Sequence, residues 1–324
     1  MKVKNTLKLL LVAMACVALD GVGDDKQAYA GEGGGSVYLQ GSFNDFQVGF
    51  FGPPGFYFRS DLAYLNSKID IHPRGGRVSA ALEQKVLMNL LKFTYLTDAE
   101  FLGGKVGFSA ELPVLQADVA GSVTPPIGGG PIFGSASNSG MGDLYLNPLL
   151  LNWNVGNHHV IFQPGLNIPI GTYDRDAQIN VGRNYWSLDL AAAWTYFEPS
   201  NGFEISATGG FLFNAENSDT DYTTGTEFHL DWMIAKHFSE TTAIGLNGYA
   251  YQQLTDDKGI LAGGLTAADF NGFKGSGWGL GPAVTSVVNL GSVPLGVTAK
   301  ALFDVESKNR MKGNLFMISA ALEF

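Results

Sequence analysis

Residues 227–231 read Glu-Phe-His-Leu-Asp, which sets an imidazole between two carboxylates at a spacing of two. These are the residue types of general acid–base and hydrolytic chemistry. In a strand, Glu227, His229 and Asp231 share one face but stand about 7 Å apart. His229 therefore cannot bond Asp231 along one strand, and a nucleophile would have to come from a neighbour. No G-x-S-x-G or H-E-x-x-H accompanies them. His158, His159 and His229 lack zinc-ligand spacing. GMGD (140–143) opens a strand and has no following helix to cradle a phosphate. No catalytic residue, metal or cofactor is expected.

What must position the 227–231 row is a strand, and the rest of the chain alternates in the same way. Twelve strand candidates lie near 56–68, 78–97, 104–117, 140–153, 158–170, 186–197, 203–214, 224–238, 242–254, 275–288, 294–306 and 313–324. In WSLDLAAAWTYF the even positions from Trp186 to Tyr196 are apolar and oppose Ser187, Asp189 and Thr195. In GTEFHLDWMI, Phe228, Leu230, Trp232 and Ile234 oppose the acidic row. The second candidate, SAALEQKVLMNLLKF, also reads as a helix. Short links (98–103, NVGN, EPSNG, Ser239–Thr241, LGSVP) alternate with mostly longer ones (118–139, 171–185, 215–223, 255–274, 307–312). Sorting of loops by length is the mark of a transmembrane barrel with short periplasmic turns and long extracellular loops.

Composition agrees. Charged residues are 15% and hydrophobic residues 45% of 324, too few charges for an ordinary soluble surface. Beyond the amino terminus no apolar run reaches the ~20 residues of a membrane helix. The fold expected is all-β, one closed antiparallel barrel of about 12 strands, with 14 as the alternative. An even number returns both chain ends to the periplasmic side.

Lys2, Lys4 and Lys8, the apolar stretch 9–19 and AYA at 28–30 make residues 1–30 a secretory signal. Cys16, the only cysteine, lies within it, which leaves no thiol chemistry in 31–324. The net charge of −10 becomes −11 when the four lysines and three aspartates of 1–30 are removed. That balance argues against a nucleic-acid partner. Residues 31–54, rich in glycine and aromatics, precede the barrel of 55–324. Phe43, Phe46, Phe50 and Phe51 would be costly exposed together, so this segment is read as a lumen plug; the other reading is a loose periplasmic tail.

The chain stops on a strand whose alternate residues are Phe316, Ile318, Ala320, Leu322 and Phe324. Such an end resembles the signal by which bacterial outer-membrane barrels are recognised for assembly, with Phe316, Ile318, Leu322 and Phe324 as its lipid-facing residues. The barrel-assembly machinery is then a partner through this strand. Outer-membrane lipid and lipopolysaccharide are the others. Asp174–Arg175–Asp176, Asp219–Thr220–Asp221 and Asp256–Asp257–Lys258 have no calcium-loop spacing and read as solvated loop charge, with divalent-ion binding beside lipopolysaccharide as the other reading. A barrel of this size is complete alone, so a monomer is expected.

The opposite parity lines the lumen: Arg59, Asp61, Lys105, Glu111, Asp143, Asn147, His159, Gln163, Asn167, Asp189, Glu204, Glu227, His229, Asp231, Lys300, Asp304 and Glu306. Nine carboxylates against three Lys/Arg in this set would favour cations in a wet channel. Cross-strand pairing that stiffens the wall is the other reading. TYDRDAQINVGRNYW (172–186) reads equally as an inward-folding loop or a solvated one.

PPGFYF (53–58), GMGDLYLNPLLLNW (140–153), IPIGTYD (168–174), INVGRNYW (179–186), NGYAYQQLTDDKG (247–259) and GLGP (279–282) run in order across most of 31–324. Together they resemble a family of outer-membrane barrels named for a MetA pathway of phenol degradation, overlapping sphingosine-responsive outer-membrane proteins. The resemblance implies passive uptake of small hydrophobic or aromatic compounds and does not establish catalysis of any step. A general cation-preferring diffusion pore and a filled, lipid-binding or structural surface barrel are the alternatives.

Overall fold

A computed structural model describes residues 35–71, 79–124, 131–259, 274–291 and 293–324. The signal assigned to 1–30 lies outside them. The described chain forms strands β1 (Gly55–Ile71), β2 (Ser79–Phe101), β3 (Gly104–Thr124), β4 (Ile132–Met141), β5 (Leu144–Val155), β6 (His158–Phe162) and β7 (Gly165–Ile168). It continues with β8 (Ser187–Glu198), β9 (Phe203–Asn214), β10 (Glu227–Ser239), β11 (Thr242–Gln253), β12 (Ser276–Leu290), β13 (Val293–Lys308) and β14 (Lys312–Glu323).

All pairings are antiparallel, and the ring closes where β1 meets β14 from Tyr57↔Glu323 to Lys68↔Lys312. β4 and β5 lie end to end along β3. β6 and β7 lie end to end between β5 and β8. Fourteen segments therefore build a barrel of 12 wall strands, two of them broken once. One break is at Gln163–Pro164, where proline has no N–H to give the ladder. The other is at Gly142–Asp143, where the aspartate serves a loop instead of the wall.

The region that also fits a helix is strand β2. Val86, Met88 and Leu90 are buried while Leu87 between them is half exposed, which is a period of two. Links at 102–103, 156–157, 199–202 and 240–241, and residue 291 after β12, gather at the end where β1 begins and β14 stops. The opposite end carries 169–186, 215–226, 254–259 and 274–275, with 309–311 as its one tight turn among the described residues.

The outer face is apolar: Leu62 is 50% exposed, Ile244 53% and Ile318 59%. Water would penalise such a belt by tens of cal/mol per Å², roughly 25, whereas lipid does not. The wall is uneven in height. β2 has 23 residues and β3 has 21, against 12 in each of β8, β9 and β11. About 9–11 residues suffice to span a bilayer, so β2 and β3 overreach it.

Candidate functional site

The interior holds polar rows and apolar clusters, and residues 35–52 contact both. Polar rows run along β8–β11, where alternate residues Asp189, Thr195, Glu204, Thr208, Glu227, His229, Asp231 and Asn247 are all buried. Each carboxylate there has a donor. Asp231 accepts from the Tyr38 hydroxyl at 2.8 Å and from the N–H groups of Gly41 at 3.0 Å and Phe43 at 3.3 Å. Burial, and then the adjacent Asp231 charge, raise the Tyr38 phenol well above its ordinary value, so it remains a donor. Glu227 accepts from Ser36 at 2.5 Å. Glu204 accepts from the Gln47 N–H and from Ser206, both at 2.6 Å, and meets His237 at 2.5 Å.

His229 finds its acid across the sheet. Its Nε2 lies 3.0 Å from Asp189 on β8, which also accepts from Tyr145 at 2.9 Å. Asp231, two residues along β10, is bonded elsewhere. The ring of Tyr38 stacks on the imidazole at 4.7 Å and Phe43 lies at 5.1 Å. The imidazole is thus sealed under aromatic rings.

Cations of the wall grip the turn at 41–45. Lys300 on β13 donates to the carbonyls of Gly41 at 2.6 Å and Asn44 at 2.5 Å, and to the Asn44 side chain at 2.8 Å. Lys92 on β2 donates to Ser42 O at 3.0 Å and pairs with Asp61 at 3.2 Å and Glu111 at 3.1 Å. Arg59 bridges Asp61 and Asp45. Further along, the Gly49 N–H donates to Thr195 and its carbonyl accepts from Asn152. Phe46 packs against Met233, Ala235 and Ala283, and Phe51 against Leu150, Ile161 and Ala193. Phe50 stacks on His159 at 3.5 Å, and the His159 ring also meets Asn154.

Near the longer loops, Asp143 organises 169–186. It accepts from Gly171 N at 3.0 Å, Arg183 N at 2.8 Å and Asn167 at 3.2 Å. The loop turns inward: Tyr185 and Val181 are buried, and Ile179 packs on the interior cluster. Asn147 bonds Ser109 and the carbonyls of Gln163 and Pro164. Asp304 accepts from Tyr249 at 2.5 Å and from Gly313 N at 2.8 Å.

Two residues of the interior set fall elsewhere. Lys105 is exposed at the start of β3. Glu306 is turned outward, because a bulge at Trp278/Gly279 makes Glu306 the partner of exposed Trp278 while Asp304 pairs with Gly279. Simple alternation cannot see a bulge.

The apolar cluster went unread in the sequence. Ala63, Val86, Met88, Leu90, Ala117, Leu302, Leu315 and Met317 face inward from β1–β3, β13 and β14, against Tyr38, Tyr249 and Tyr251. The signal was present: Leu315 and Met317 hold the inward parity of β14 in place of polar residues. A water-filled barrel lumen is polar; this one also carries an apolar cluster, on strands that bring Asp61, Lys92 and Lys300 inward as well.

The family described as "Putative MetA-pathway of phenol degradation" matches residues 72–320. Among solved structures, the COG4313 outer membrane channel from Pseudomonas putida F1 is similar at 14% identity and a TM-score of 0.61, over 88% of this chain and 98% of that one. A Pseudomonas aeruginosa FadL homologue aligns at 9% identity and a TM-score of 0.43, over 87% and 93%. The translocator domain of autotransporter NalP from Neisseria meningitidis aligns at 9% and 0.41, over 84% and 90%. No curated protein matches the sequence.

Proposed function

The chain belongs to the family described by the MetA pathway of phenol degradation, and from that premise we propose that it is a channel for passive uptake of small hydrophobic or aromatic compounds. Its fold is that of an outer-membrane channel, and its place is the bacterial outer membrane. The observation that carries the substrate class is the apolar interior wall of Met88, Leu90, Leu315 and Met317 facing Tyr38, Tyr249 and Tyr251. An aromatic solute loses little by leaving water for such a surface.

Residues 35–52 are the plug in this reading, anchored at Asp231, Lys300, Glu204 and Thr195. The cation-pore alternative loses support because the interior carboxylates are engaged by hydroxyls, main-chain N–H groups and lysines. A filled barrel serving as a lipid-binding or structural surface protein suits the occupied interior equally. Phe316, Ile318, Leu322 and Phe324 remain our assignment for the assembly signal, with Phe316 and Ile318 exposed on the outer face.

The test compares refolded protein with and without residues 31–54 in planar bilayers under a salt gradient, and in liposomes loaded with a phenol-oxidising reporter. Plugged-channel behaviour is low conductance that rises on deletion, with phenol entry above that of empty liposomes. Equal, steady cation-selective current from both proteins would support the diffusion pore instead. Folded protein that admits neither ions nor phenol in either form would leave the filled-barrel reading.

A further inference from the structure

The outer face of the wall carries a second pattern that transport does not use. Register across β14, β1 and β2 stacks exposed residues in rows towards the longer loops. First come Phe316, Tyr64 and Leu87, then Asn314, Asn66 and Lys85, then Lys312, Lys68 and Glu83. Each step of two residues climbs about 6.6 Å, so along β14 and β1 the surface passes from aromatic to amide to ammonium within some 13 Å, while β2 runs from Leu87 through Lys85 to Glu83. Aromatic residues mark the edge of the hydrocarbon, which puts the lysines at headgroup level in the leaflet facing outside.

Lys68 and Lys312 are direct partners across β1 and β14. Two like charges so placed repel; Glu83, the partner of Lys68 on β2, stands on the side of Lys68 away from Lys312. Among the described residues neither has an ion pair; Lys312 donates to Val305 O, and Lys68 and Lys85 are exposed.

Two strands away, on the same outer face, Gln252, Ser276 and Lys308 form one row across β11, β12 and β13. With Lys274 and Asn309 they line a groove of about 440 Å³. Lys274 is held by Asp256 at 3.1 Å, whereas Lys308 has no ion pair among the described residues. The row directly below it contains exposed Trp278. Glu83, Asp70 and Glu306 share this side of the barrel, so placement, not net charge, selects the ligand. On the outer face of β8–β10 the corresponding end has no Lys or Arg: Trp186, Leu188, Phe213 and Phe228 occupy it.

We propose that this face binds a phosphorylated glycolipid of the outer leaflet, with one phosphate in the Lys274–Lys308 groove and a second between Lys68 and Lys312. Ammonium, amide and hydroxyl groups offer donors to phosphate oxygens, and the aromatic row beneath meets the acyl chains. The strand spacing of about 4.8 Å separates the two positions by roughly 10–15 Å, which suits a headgroup carrying two phosphates on linked sugars. The site rests on the outer-membrane location and is independent of the transport reading.

Purified full-length mature protein in detergent is mixed with bisphosphorylated lipid A, the same lipid enzymatically dephosphorylated, or inorganic phosphate, and retention is read by native mass spectrometry. Wild type and the 31–54 deletion should both retain the bisphosphorylated lipid. K274Q/K308Q and K68Q/K312Q should each weaken retention by about tenfold, and the matching Lys→Arg pairs should hold it. The dephosphorylated lipid should not be retained, and equimolar inorganic phosphate should not compete. The proposal fails if the quadruple glutamine variant, folded by its heat-modifiable mobility, retains the lipid as wild type does. It fails equally if dephosphorylated lipid binds as well, or if inorganic phosphate displaces the lipid.

Discussion

Replacing Asp231 by alanine tests the proposed plug at one of its two three-bond anchors. The carboxylate takes three donors from the plug, the Tyr38 hydroxyl and the N–H groups of Gly41 and Phe43. Hydrogen bonds to a charged acceptor are worth about 1.5–3 kcal/mol each. Three that share one carboxylate do not add fully, so a total near 3–4 kcal/mol is the working figure. Each 1.4 kcal/mol is a factor of ten, which raises the undocked population by roughly 100- to 1,000-fold. The plug's other anchors, on Lys300, Glu204 and Thr195, are unchanged, so the segment should open and reclose and not leave for good. In single-channel recordings D231A is expected to show frequent brief openings where wild type is quiet. Asp231→Asn keeps an acceptor oxygen and should fall between them. Quiet D231A channels, in protein whose segment 35–52 resists protease as wild type does, would refute the anchoring argument.

Gly49→Ala should act in the same direction by sterics, because a Cβ there would lie 2.5 Å from His159 O and 2.7 Å from Thr195 N; increased cleavage of 35–52 by added protease checks it. Asp143→Ala removes the acceptor for Gly171 N, Arg183 N and Asn167 and should loosen 169–186, seen as faster trypsin cleavage at Arg175 with the barrel intact. Lys300→Met leaves three plug oxygens without their ammonium; openings should lengthen as well as multiply, since the turn at 41–45 loses its central grip. Ile318→Arg puts a charge on a lipid-facing residue that is 59% exposed; a loss of up to about 2–4 kcal/mol is expected from equilibrium unfolding in lipid, with Ser319→Ala as the inward control.

The strands were legible because lipid outside and partners inside write opposite chemistries on alternate residues. The row Glu227, His229, Asp231 could be placed inside from parity alone. Its bonding could not, since the acid that meets His229 is Asp189, 40 positions earlier, and cross-strand register is not written in either strand separately. Parity also fails silently at bulges. A shift between Gly107 and Ser109 against β5 turns Leu150 inward three residues after inward Asn147, and the bulge at Trp278/Gly279 expels Glu306. The break at Gln163–Pro164 fell inside a strand that read as continuous, whereas most of β4 and the end of β3 lie in 118–139, which read as a loop. The apolar cluster of the lumen was missed because an inward face was equated with polar residues.

The bonds that dock residues 35–52 join positions far apart in the chain. Gly49 reaches Thr195 across 146 positions, Tyr38 reaches Asp231 across 193, and Gly41 reaches Lys300 across 259. The segment precedes all of these partners in the chain. Its last grip, on β13, becomes available only as the ring is about to seal through β14 and β1. Complete docking of this segment therefore requires β8, β10 and β13 all to be in place, which couples filling of the interior to assembly of the wall. Cover for the aromatic rings is equally dispersed: Phe51 needs β5, β6 and β8 in register, and Phe46 needs both β10 and β12.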